Sequence, residues 1–134
     1  MEPSKTTRTA TYVWLAVAFF TAFLATGSQL WPGSYQEYLS RGGGIQLVAT
    51  VAIVAILVAA ISGLGIARSA LAVGCGVPAA TFARVVADGV QDPTSHNLWP
   101  FEVGIALIVG MAAAWPAALL GALIRYLGRR MGGR

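Results

Sequence analysis

Long stretches without a single charge decide what this chain can fold into. No Lys, Arg, Asp or Glu stands between Arg8 and Glu37, between Arg41 and Arg68, or between Glu102 and Arg125, and only Arg84 and Asp88 interrupt the run from Ser69 to Gln91. Crossing a hydrocarbon core of about 30 Å takes about 20 helical residues, and four segments meet that length. They cover about residues 9–30, 44–67, 69–90 and 99–127. None shows the period-two alternation of a barrel strand, so the expected elements are helices. A backbone in lipid must satisfy its own hydrogen bonds, which a helix does within one segment.

The expectation is therefore an all-α integral membrane protein, a single four-span domain over residues 1–134 folded as a compact bundle. Composition argues against the soluble alternative. Charged residues make up 10% of the chain and hydrophobic ones 57%, whereas an ordinary soluble domain carries about 25% charge. Nine basic and five acidic residues could not cover a soluble domain of this size without leaving broad apolar patches. The single cysteine, Cys75, excludes a disulfide framework and a CxxC redox or zinc motif.

The net charge of +4 reflects threading rather than nucleic acid, because the basic residues are not gathered on a soluble surface. With the N-terminus in the cytoplasm, Lys5, Arg8, Arg68, Arg125, Arg129, Arg130 and Arg134 all fall inside, leaving Arg41 and Arg84 outside. That is the positive-inside pattern, with both termini cytoplasmic in a bacterial-type inner membrane. Loops 31–43 and 91–98 then face outward. The acids Glu37, Asp88, Asp92 and Glu102 sort to the outer side, a bias the topology rule does not require. Lys5 and Arg8 before an apolar run, with Ala25-Thr26-Gly27 after it, also resemble a signal peptide. The run exceeds the usual h-region of about 7 to 15 residues, so a retained first span is expected.

Membrane helices associate through small residues that let backbones approach. Such stripes occur at Ala55, Ala59, Gly63 and Ala67, at Ala72, Gly76 and Ala80, and at Ala106, Gly110, Ala114, Ala118 and Ala122. They suit either packing within the bundle or contact between protomers. Pro78 and Pro116 each remove one helical hydrogen bond and bend their spans. Trp31 and Trp99, each followed by proline, and Tyr126 beside Arg125 read as interfacial anchors.

Candidate chemistry collects between Arg84 and Glu102. Arg84 and Asp88 are four apart and share a helix face. A charge at that depth must pair or snorkel, and Glu102 is the expected second partner for the guanidinium. Asp92, His96 and Glu37 are outer-loop polar candidates. One histidine among scattered carboxylates lacks the paired spacing of a metal motif, so Asp92 and His96 are only weak metal ligands and no metal or other cofactor is expected. No catalytic fingerprint is present. The functional expectation is a small accessory or assembly subunit whose partners are the lipid bilayer and either its own copies or other membrane subunits, without nucleic acid. The alternative is an oligomeric channel or transporter for a small ion or solute, with a charged outer mouth at Arg84, Asp88 and Glu102.

Overall fold

The structure, a computed structural model, describes residues 5–33, 35–91 and 98–132. These residues form five helices, α1 Lys5–Leu30, α2 Tyr35–Ser40, α3 Gly43–Ile61, α4 Ile66–Gln91 and α5 Trp99–Gly132. Four of them, all but α2, are long and apolar enough to cross a membrane. They pack into one all-helical bundle.

Each helix end has a local cause. Pro32 offers no amide to continue the α1 ladder, and the last turn closes when the Trp31 amide donates to the Gly27 carbonyl at 2.8 Å. Gly42 adopts φ 75° ahead of α3, a left-handed conformation that glycine takes without cost. The second apolar run does not continue to Ala67 as its composition suggests. It stops at Ile61, where the Ser62 amide bonds the Val58 carbonyl at 2.9 Å and Gly63 turns to φ 72°, the left-handed residue that commonly ends a helix. The Ser62 hydroxyl then accepts the Leu64 amide at 3.1 Å. The following helix consequently starts at Ile66 rather than Ser69. At the other end of the bundle, α2 lies within the segment read as an outer loop.

α4 packs along both α1 and α5, and α5 packs along α3. The α1–α3 and α3–α4 contacts are smaller, and α1 does not meet α5 among the described residues. Ala22 lies against Gly76 and Leu30 against Arg84, so α1 and α4 run parallel. Gly121 lies against Ile56 and Ala59, and Arg125 reaches Gly63, so α3 and α5 are parallel too.

The core is built from small side chains. Ala18, Ala22, Ala55, Ala59, Ala70, Ala114 and Ala118 are buried with Val51, Val54, Val58, Val73 and Val77, and Leu64 is the one larger aliphatic in this cluster. Leucine, isoleucine and phenylalanine face outward, as at Phe20, Leu24, Ile53, Leu57, Ile108 and Leu119. Small residues within and large apolar residues without is the arrangement expected when lipid is the solvent, because helices then gain by close approach rather than by hiding apolar surface.

Glycine sets the closest approaches. A Cβ on Gly121 would come 2.3 Å from the Ile56 carbonyl oxygen, and one on Gly110 would come 2.5 Å from that of Gly74. Pro78 lacks the amide that would bond this Gly74 carbonyl. The group left free by the proline is thus covered by the α-carbon of Gly110. The small-residue stripes are largely spent inside the bundle, except that Gly63 and Ala67 are exposed at the α3–α4 turn.

Candidate functional site at the α2 end

The end of the bundle carrying α2 brings together polar groups from α1, α2, α3 and α4. Arg84 stands near the C-terminus of α4 with its side chain 14% exposed. Its Nε donates to Asp88 Oδ2 at 3.2 Å, one turn further along the same helix. Its other two nitrogens leave the helix. Nη1 donates to the Leu30 carbonyl and Nη2 donates to the Gly33 carbonyl at 3.0 Å.

Leu30 is the last residue of α1, where carbonyls have no amide partner further along the helix. A cation there also meets the negative end of the helix dipole. Arg84 therefore acts as a clamp between α4 and the end of α1, with the planar guanidinium spanning three acceptors. The second group facing the fork is main chain from α1. Glu102 lies half-buried in the first turn of α5, where its charge favours the helix N-terminus.

Trp31 reinforces the clamp. Its indole Nε1 donates to the Ala80 carbonyl at 3.2 Å, and its ring packs edge-on against Phe23 with centroids 5.5 Å apart. Gly27 leaves the space the indole fills, since a Cβ there would come 2.4 Å from the ring. Trp31 thus ties α1 to α4 while keeping part of its ring exposed. Trp99 lies beside Phe82, with centroids 5.8 Å apart, and Tyr126 is exposed on α5. Thr81 bonds back to the Val77 carbonyl at 3.1 Å and points no hydroxyl toward Arg84.

Beside the clamp lies a cavity of about 480 Å³ lined by Gln29, Pro32, Gly33, Glu37, Tyr38, Arg41 and Gln46. Glu37 and Arg41 are one turn apart on or next to α2 and form an ion pair across the cavity wall. The Tyr38 hydroxyl donates to the Gly43 carbonyl, fixing α2 to the start of α3. Gln29 Nε2 donates to Thr50 Oγ1 at 2.6 Å, joining α1 to α3. Gly33 is shared by both features, as its carbonyl is held by Arg84 and its φ of 80° turns the chain toward Glu37.

Of the acids assigned to the outer side, Asp88 is joined to Arg84 and Glu37 to Arg41, while Asp92 and His96 lie outside the described residues. Sequence reasoning passed over Gln29, Gly33 and Gln46 as site residues. Their signal was present: Gln29 and Gln46 are strongly polar side chains within or beside otherwise apolar runs, and such residues mark function or packing in membrane helices. At the opposite end Arg125 approaches Gly63, and its Nη1 is buried without a hydrogen-bond partner among the described residues.

Comparison with protein-family models, curated proteins and solved structures finds no match to this chain.

Proposed function

We propose that this protein is a small polytopic subunit of the bacterial inner membrane, with both termini cytoplasmic and the α2 end outside, that assembles with its own copies or with a larger membrane complex. The reading rests on the outward face of α5. Phe101, Ile105, Ile108, Ala112, Trp115, Leu119 and Tyr126 follow one another at spacings of three, four or seven, and all are exposed. That spacing gathers them on one face of α5, a face that a helix can lay against another helix over many turns. The buried cation supports the same reading, because Arg84 is engaged in holding α1 to α4.

A photo-crosslinking residue placed at Ile108 or Trp115 in intact membranes tests it. Protein adducts are expected from both α5 positions, and from neither Val13 nor Phe20 on α1. Lipid adducts alone at all four positions would contradict an assembly through α5.

A channel or transporter is the second reading, and one observation favours it: a cavity with charged residues in its wall opens beside the Arg84 clamp. Transport through a mouth at Arg84, Asp88 and Glu102 requires flux in proteoliposomes that falls in Arg84→Ala and Asp88→Asn. Unchanged flux removes that mouth.

A further inference from the structure

We infer that the cavity at the α2 end is a binding site for a small zwitterion, whose ammonium group meets Glu37 and whose anionic group meets Arg41. The cavity is large enough for a small molecule, at about 480 Å³ against about 300 to 1,000 Å³ for ligand sites in general. Its two charged lining residues have opposite sign and are in contact, so the wall is neutral overall but strongly polarised. A ligand with one charge would leave either Glu37 or Arg41 facing a like charge. A ligand with both, a few ångströms apart, satisfies both walls.

The existing pair does not block this exchange. The side chains of Glu37 and Arg41 are 50% and 74% exposed, and ion pairs between exposed groups at this helical spacing are weak. Breaking this pair in favour of a ligand's two charges therefore costs little in itself. Three other lining residues are held in place by bonds to the bundle. Arg84 holds the Gly33 carbonyl, Tyr38 is bonded to Gly43, and Gln29 is bonded to Thr50.

Glycine makes the seats. A Cβ on Gly33 would come 3.1 Å from Glu37 Oε2, and one on Gly43 would come 2.4 Å from the Tyr38 ring. Tyr38 occupies space that a side chain at residue 43 would fill, and Glu37 packs its carboxylate closely against Gly33. Gln46 adds an exposed amide at the rim. A site held before the ligand arrives loses less on binding than one that must order itself.

Zwitterions of this kind come from two sources, the headgroup of phosphatidylethanolamine or a free solute of the same charge pattern. The proposal stands apart from the subunit reading, since a monomer would bind the zwitterion equally well. Full-length protein, purified in non-ionic detergent and stripped of lipid, is titrated calorimetrically with glycerophosphoethanolamine, and separately with ethanolamine and with glycerol phosphate. The zwitterion is expected to bind at least tenfold more tightly than either the cation or the anion alone. E37Q and R41Q are each expected to weaken it at least tenfold, with helical content by circular dichroism unchanged because both side chains are exposed.

Lipid extraction from protein purified without stripping separates the sources. Phosphatidylethanolamine held by the wild type and lost from the E37Q/R41Q double variant assigns the bilayer. Wild type without that lipid that still binds glycerophosphoethanolamine assigns a free solute. Equal affinity for ethanolamine or glycerol phosphate, affinity unaltered by both substitutions, or neither retained lipid nor bound zwitterion would overturn the proposal.

Discussion

Arg84 shows how a charge becomes tolerable inside an apolar bundle. The guanidinium is mostly buried, yet each of its three nitrogens donates to an oxygen, one carboxylate and two main-chain carbonyls. Hydrogen bonds to charged groups contribute about 1.5 to 3 kcal/mol each, and an orphaned buried acceptor costs a similar amount. Arg84→Ala, which removes the bonds to Asp88 and to the end of α1 together, is expected to lower stability by about 2 to 3 kcal/mol, the bonds being partly replaced by water. Arg84→Lys recovers only part of this loss, because an ammonium cannot match the spread of the fork. Asp88→Asn costs less, about 0 to 1 kcal/mol, since the carboxylate is 37% exposed. Equilibrium unfolding in detergent measures all three. A result in which Asp88→Asn exceeds Arg84→Ala would place the weight on the ion pair rather than on the clamp. The Arg84–Asp88 pairing is legible from the sequence, because four residues on a helix define a shared face. The carbonyls of Leu30 and Gly33 are not, because they lie more than fifty positions away and carry no side-chain signature.

At the scale of the helices, alanine and glycine decide the packing and large residues decide what faces outward. Gly110 and Gly121 each sit against a neighbouring carbonyl oxygen, whereas nothing lies within 4 Å of a Cβ on Gly104 or Gly128. These four helical glycines give opposite expectations for the same substitution. Gly110→Ala and Gly121→Ala push helices apart and lose about 1 to 3 kcal/mol by overpacking. Gly104→Ala and Gly128→Ala gain about 0.5 to 1 kcal/mol, because alanine gives up less conformational freedom in a helix. Melting temperatures in one detergent rank them, and a uniform effect across the four would remove the account of glycine as the spacer. The sequence marks the four long helices through their charge-free runs. It conceals the end of α3, because 62–67 continues without charge and only the backbone turn at Gly63 breaks the helix. α2 is hidden for another reason: its six residues, lying between Trp31-Pro32-Gly33 and Gly42-Gly43-Gly44, are too few to show a helical period.

For the whole molecule, the four long apolar helices and the inverted distribution of small and large residues agree with each other. The core of alanine and valine allows close helix contact, and the exposed leucine, isoleucine and aromatic side chains suit a lipid or protein surround. The charges at the α2 end divide into a clamp, built on Arg84, and a cavity wall, built on Glu37 and Arg41. This division was not visible in the sequence, where Arg84, Asp88 and Glu102 formed one candidate set and Glu37 belonged with Asp92 and His96. Among the described residues Glu37 pairs with Arg41 beside the clamp, and Gly33 is shared by the two features. The proposed assembly through α5 is the central claim at this scale. Native mass spectrometry of the protein released from its membrane in a mild detergent measures it most directly. A mass that is a multiple of 13.9 kDa, or that includes a second chain, is the predicted result; a single chain of 13.9 kDa under every mild extraction would contradict it.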